Sequence, residues 1–508
     1  MSLLWRVGAP LLKVLLVLLA IYFTGSFQLI AQTVYPQRSQ PQGGDRRGTY
    51  LEPDEQIPLY KDPKLYLHNM ELLAHVPEGV RLQMMTVGGQ RYLVGGNVLD
   101  VTDPKNPVIV ARNVPRGEVA YNQAMKKWIL MRTDSCCSAR QEYMQPGSQH
   151  PESVRPEGRL GVTFFDITDP RNPVEISHYD TGWPGAGAHS DGNYYDGGRY
   201  AYIAASVEGT RGQRPFHRTS RILVVLDVSD MSNPREISRW WVPGQMLGEE
   251  SEFQSWPEAG PHWLKEVWEP GLIYHWATFH GPCYVPKRVE DGGNRAYCAY
   301  GALGAIVLDL SDIRNPMEVT RVDISPPFDG GVPVHNAYPM LERKLMFING
   351  ENTYWDCHEG IVMPWVVDMR AERHPVTIAS FPVPKPPPEA PYNDFCFRGG
   401  RFGTHHVHDF KAPGKPRIDL MGYSWFTGGF RLYDVSNPFR PEEVAWIVPP
   451  QGEWRGTEKG FIEWDRKIIH VRTDTGLYIL SSPVLGEPIL GPLEARQWSA
   501  EGLNIGAQ

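Results

Sequence analysis

The sequence lacks the short motifs that assign chemistry at sight. It has no G-x-S-x-G elbow, no P-loop and no H-E-x-x-H pair, so serine hydrolysis, nucleotide-driven chemistry and zincin-type proteolysis have no support. Cysteine is scarce, with 6 in 508 residues and none at C-x-x-C spacing, which removes zinc-ribbon and thioredoxin-type arrangements. Excess positive charge is also missing. A formal net charge of -8 offers no general basic surface for neutralising phosphates, and nucleic acid is set aside as a partner.

Turn formers and aromatics are plentiful instead. The chain holds 50 Gly and 46 Pro, with 41% apolar, 11% aromatic and 21% charged residues, enough to bury a large core between many turns. Cys283 and Cys298 flank a hairpin turn read at Glu290 to Asn294, which brings a cross-strand disulfide within reach. A bond between the adjacent Cys136 and Cys137 would be strained.

The N-terminus is apolar from Ala9 to Ala31, with Arg6 and Lys13 toward its start. About 20 apolar residues span a bilayer, and a positive flank stays cytoplasmic. The expected organisation is therefore a signal anchor or signal peptide over 1–32, a polar tether over 33–60, a folded body over 61–490 and a tail over 491–508. On this reading the protein is membrane-associated, single-pass, with its body on the periplasmic or extracellular side, or it is secreted to the periplasm after cleavage.

One unit recurs through the body: an apolar strand, Asp, then an Asn-Pro turn. Copies run Asn97 to Pro107, Val162 to Pro173, Leu223 to Pro234, Ala305 to Pro316 and Phe430 to Pro441. Trp365 to Pro375 is a weaker copy, and Gly476 to Pro483 is a seventh without its Asp. The β-branched run makes a buried strand, Asp and Ser/Thr side chains close a turn on nearby amides, and Pro blocks further pairing there. A further strand precedes each unit, as at Tyr200 to Ala204 and Ile468 to Val471. Such four-stranded units bury both faces only when packed radially. The predicted fold is all-β, a β-propeller of seven four-stranded blades carrying an N-terminal membrane segment. Anchors such as Asp227 and Asp309 stand farther apart than a blade of roughly 40–50 residues requires, so loops are read at 134–160, 206–220 and 245–270. These units resemble the LVIVD repeat, and the resemblance implies a propeller but no particular chemistry.

Histidines recur at one place in the repeat, just before the first strand of blades three to six. They are His189, His280, His335 and His406. Radial symmetry would carry equivalent positions to one axis, and four imidazoles there suit Fe, Cu or Zn rather than Mg or Ca. In His405-His406-Val407-His408 strand alternation selects His406 as the inward ligand and His408 as a second candidate, with His405 turned away. Glu351, Asn352, Asp356 and His358 follow the inner strand of blade five and either orient ligands or cap a loop. Glu118 and Glu463 hold the same repeat position in blades two and seven. A His-lined axis is similar, by analogy of architecture, to carotenoid-cleavage dioxygenases and to methanethiol-oxidase propellers.

The expected function is a metal-dependent oxidoreductase acting near the membrane on a small or lipophilic molecule. Two alternatives stand beside it: a non-catalytic envelope scaffold docking a protein partner through aromatics such as Trp240, Trp241 and Trp256, and a metal-assisted hydrolase.

Overall fold

A computed structural model describes residues 58–135, 158–182, 187–210, 221–255, 278–323, 332–353, 357, 360–408, 411–452 and 456–489. The repeat turn follows from its aspartates. Asp100, Asp166, Asp227, Asp309, Asp368 and Asp434 each accept a hydrogen bond from the backbone N–H two residues ahead, at 2.7 to 2.9 Å. In four copies the next aspartate repeats the move: Asp103, Asp169, Asp230 and Asp312 accept at 2.9 to 3.1 Å. Two successive side-chain turns reverse the chain, and it resumes as the outer strand of the same blade. That outer strand meets its neighbour through a β-bulge just before the anchor Asp, as at Phe164/Phe165, Val225/Leu226, Val307/Leu308 and Leu432/Tyr433. Each bulge adds local twist, which suits a fan of blades around an axis.

Seven antiparallel sheets result. Blade one runs Met84–Val87, Gln90–Asp100 and Val108–Val114. Its long middle strand folds back at Gly95-Gly96, both at positive φ, so that the Val101 amide donates to the Arg91 carbonyl at 2.9 Å, and one chain segment serves as two strands. Blade two is Gly117–Asn122, Lys127–Asp134, Gly161–Asp166 and Val174–Asp180. Blade three is Gly187–Ala188, Tyr200–Ser206, Arg221–Asp227 and Arg235–Trp240, with Tyr194–Tyr195 also on Tyr200–Ser206. Blade four is Cys283–Tyr284, Arg295–Ala299, Ala305–Asp309 and Met317–Val322. Blade five is Val332–Met340, Leu345–Glu351, Trp365–Asp368 and Val376–Ser380. Blade six is Leu420–Ser424, Phe430–Asp434 and Glu442–Ile447, with Leu67–His68 at its outer edge. Blade seven is Thr457–Glu463, Ile468–Thr473 and Gly476–Ser481, and its fourth strand is Glu71–Val76 from the start of the described chain. The worn seventh repeat therefore completes the ring, and a strand preceding blade one closes it.

A buried ion network reinforces that closure. Arg91 of blade one pairs with Glu463 and Asp465 of blade seven, and Arg466 donates to the Thr102 carbonyl at 2.7 Å and the Val101 carbonyl at 3.0 Å. Burial alone would raise the Glu463 carboxyl. His470, hydrogen-bonded at 2.7 Å, and Arg466 outweigh it and hold the carboxyl at about 2, below its usual 4.5. A depressed carboxylate contributes stability above its unfolded pKa and loses it as pH falls toward the folded one. Stability should thus drop from pH 4.5 toward 2, by roughly 3 kcal/mol from this group. Glu463→Gln should remove that amount at pH 7 and flatten the dependence, as read by urea melts across the window; an unchanged acid profile would contradict the assignment.

Cys283 and Cys298 face each other across the first strand pair of blade four and are bonded. Cys357 and Cys396 form a second disulfide, which their 39-residue separation conceals in the sequence. Cys136, Cys137, Trp256 and most of the expected inserted loops lie outside the described residues.

The apolar stretch from Ala9 to Ala31 also lies outside the described residues. Among those described, no helix is long and apolar enough to cross a membrane. The expected fold is corrected on this point: the propeller stands, but no described element supplies the membrane segment. The membrane partner, signal anchor and periplasm-facing placement are withdrawn with it.

Candidate metal centre

Inner strands approach one another closely along the channel, and small residues allow it. A Cβ added at Gly281 would run into the His335 carbonyl of the next blade, so backbone meets backbone where His280 and His335 stand. His335 sits within Val332–Met340, every residue of which is buried. The His280 amide donates to the Ala299 carbonyl at 3.1 Å and the His189 amide to the Ala204 carbonyl at 2.9 Å, so each histidine extends the inner edge of its own blade.

Blade six departs from regular alternation. The His405 amide donates to the Ser424 carbonyl, the Ser424 amide donates to the His406 carbonyl, and the His406 amide turns to the Ser424 hydroxyl at 2.9 Å. Two residues thus oppose one, a β-bulge, and a bulge re-aims side chains. Both imidazoles reach the same place: the His405 and His406 rings are 3.8 Å apart, and each lies 4.9 Å from His335. The expectation that His405 faces away fails for this reason.

The rings form an arc across four blades, His189 to His280 at 4.4 Å and His280 to His335 at 5.1 Å, then on to the His405-His406 pair. Ligand-capable atoms fall into three overlapping groups, each within 4.8 Å: Asp191, His335, His405 and His406; His189, Asp191 and His280; and His280, His335 and Glu351. Of the four histidines expected together, His335 and His406 share the first group, while His189 and His280 share the second. Asp191 was not anticipated, although it stands two residues after His189, where a 3-10 turn over Ser190–Gly192 swings it beside the ring.

Enclosure between blades shapes the electrostatics. Desolvation pushes His280 down to about 3, against its hydrogen bond to the Glu351 carboxylate, and His405 down to about 4. It lowers His335, and it takes His189 and His406 well below the usual range. Burial would raise Glu351 and Asp191. Instead His405 and His280 hold Glu351 well down, and His189, His406 and Arg81 do so for Asp191. Neutral imidazoles beside ionised carboxylates are the protonation states that metal ligation needs. The buried Nε2 atoms of His189 and His335 have no hydrogen-bond partner, and an orphaned buried nitrogen is costly unless something else satisfies it. Buried His and Asp clusters able to coordinate a transition metal are therefore present in the channel.

Other expected residues serve elsewhere. His408 is held by the Gly422 amide at 3.0 Å and the Tyr338 hydroxyl at 3.1 Å. It belongs to a second arc of rings farther along the inner strands, Tyr194, Tyr284, Tyr338, His408 and Trp464, with successive centroids 5.1 to 6.1 Å apart. Glu351 receives Arg401 at 2.9 Å and His280 at 3.1 Å. Asn352 caps backbone, accepting from the Val362 amide. Asp356 and His358 lie outside the described residues. Glu118 pairs with Lys411 at 2.6 Å, and Glu463 belongs to the ring closure. Trp240 packs edge-on to Tyr300, and Trp241 donates to Glu249, so both are engaged within the chain.

The expected membrane-associated oxidoreductase is corrected accordingly. No described helix brings the channel to a bilayer, and the site consists of a metal-binding donor set that carries no redox assignment. The donor set fits the alternatives stated beside it better and by itself assigns no catalysis.

Comparison with known proteins finds the repeat unit. The LVIVD repeat model matches residues 220–241, the anchor strand and turn of blade three. No curated protein matches the sequence. Among solved structures, the β-propeller domain of Cps50 (Swd1) from Myceliophteria thermophila is 12% identical, covering 81% of this chain and 99% of its own at a TM-score of 0.42. A putative 6-phosphogluconolactonase from Bacteroides fragilis is 9% identical, covering 63% and 71% at 0.36. Likeness at that level carries no argument. The repeat, its aspartate turns and the ring of seven sheets give this chain an LVIVD-repeat, seven-bladed β-propeller fold.

Proposed function

We propose that the channel binds a transition-metal ion through Asp191, His335, His405 and His406, and that the protein uses it for metal-assisted hydrolysis of a small molecule. The observation that carries this reading is that ligand-capable atoms of Asp191, His335, His405 and His406 all lie within 4.8 Å of one another, in a group where the His335 Nε2 is buried without a hydrogen-bond partner. A set of three imidazoles and one carboxylate suits zinc, iron or copper. An ion of the zinc type supplies a nucleophile at neutral pH by lowering the pKa of bound water to about 7.

The chain's own part is to hold and orient. Bulging at Ser424 aims two imidazoles together, and the Glu458 carbonyl lies 3.1 Å from the His405 Nδ1. That bond places the ring proton on Nδ1 and leaves Nε2 as the donor to a metal. Asp191 and His406 are only half-buried, so one side of the group stays open to the channel and to substrate. Glu351, clamped by Arg401, sets the His280 ring.

The test uses the full chain, stripped with chelator and reloaded with zinc. Zinc should remain bound after desalting, and hydrolysis of a panel of small esters should vanish on chelation and return on reloading. Failure to retain zinc, iron or copper would overturn the proposal.

A further inference from the structure

The donors in the channel exceed what one ion can take. Zinc binds four ligands, and a hydrolytic zinc uses three from the protein, whereas the arc presents five imidazoles and two carboxylates in chained groups. From this surplus we infer that the channel holds two metal ions bridged by Asp191. The inference rests on the metal-site reading above and extends it by a second site.

Asp191 is the residue common to the group of His335, His405 and His406 and to the group of His189 and His280, and a carboxylate has two oxygens, one for each ion. Its Oδ2 lies 3.9 Å from the His189 Nε2, and that nitrogen is buried with no hydrogen-bond partner. Two buried orphans, the Nε2 atoms of His189 and His335, therefore belong to the two donor groups that share Asp191. Ligand atoms at about 2.0 to 2.1 Å from a tetrahedral ion lie roughly 3.3 Å from one another. The His280 Nε2 is 3.1 Å from a Glu351 oxygen and its Nδ1 accepts from Arg221 at 3.0 Å, so Glu351 orients the His280 ring and is placed to take up the Nε2 proton that metal binding would release.

A bridged pair is a different device from a single ion. Two ions about 3.5–4 Å apart clamp both the attacking and the leaving oxygen of a displacement, which suits ester or phosphoester substrates. Arg81, with its guanidinium 3.8 Å from Asp191, adds positive charge beside the bridge, in keeping with an anionic substrate.

The measurement is zinc stoichiometry of the full chain by mass spectrometry after saturation and desalting. Wild type should hold two zinc ions per chain, and His189→Ala, with His189→Gln as a milder replacement, should hold one. Copper(II)-loaded wild type should show a spin-coupled paramagnetic resonance signal that the His189 variants lose. One zinc per wild-type chain would overturn the second site while leaving the first standing. Two per chain in wild type and in both His189 variants, with no coupling, would assign the extra ion elsewhere and also overturn it. No bound zinc would remove both readings.

Discussion

Replacing His335 by alanine is expected to weaken metal binding by at least about 100-fold while leaving the seven-bladed ring folded. Loss of a residue that merely orients a ligand already costs about 10–100-fold, and His335 belongs to two of the three donor groups. Its side chain is fully buried and makes one hydrogen bond, accepting at Nδ1 from the Asn336 side-chain NH2 at 2.9 Å. The structural penalty should therefore stay near the roughly 1–3 kcal/mol of an ordinary buried truncation. Competition with a chelator of known affinity reads the first quantity, and a thermal melt of the metal-free protein reads the second. His408→Ala is the informative contrast. It breaks the bonds to Tyr338 and Gly422, so it should lower stability by a similar amount and leave metal affinity unchanged. Equal affinity loss in both variants would mean that folding damage, not ligation, explains the effect.

Deleting residues through Val76 should abolish cooperative folding. Glu71–Val76 is the outer strand of blade seven, and Leu67–His68 pairs with Glu442–Ile447 of blade six. Removal strips a six-residue ladder, about 1 kcal/mol per lost hydrogen bond. It also unseats Leu59, Tyr66 and Val76, each buried and each contributing about 1.5–3 kcal/mol. Together these losses match the 5–15 kcal/mol that typically holds a domain. The deletion also bares the edge of Gly476–Ser481, an apolar strand ready to pair with another chain. Size-exclusion chromatography and urea unfolding decide the point: a monomeric truncation with an unchanged urea midpoint would show that the ring closes without this strand.

Much of the architecture was written locally. Asp-x-Ser/Thr-Asp followed by Asn-Pro, the form of four copies, makes its own turn through bonds spanning two residues, so such a copy, read alone, announces its conformation. Counting copies then counts blades, and the radial packing follows because no blade can bury both of its faces alone. The histidines of blades three to six were legible for the same reason, since repetition at one register carries equivalent side chains toward one axis. Local reading failed where the backbone broke its period. Alternation assigned His406 and His408 to one face, but the bulge against Ser424 turned His405 and His406 inward together and left His408 to the aromatic arc. Asp191 entered the site from a short turn, a position whose direction depends on the neighbouring blade, while Glu351, already a candidate to orient ligands, stands at the end of a second strand. The sequence by itself determined the strands, the turns and the number of blades, because those rest on contacts between residues close in the chain. Only the tertiary structure decided which donors meet, because ligation demands sub-ångström convergence of side chains from four blades, and that convergence is set by bulges, glycine approaches and ring closure rather than by any local pattern.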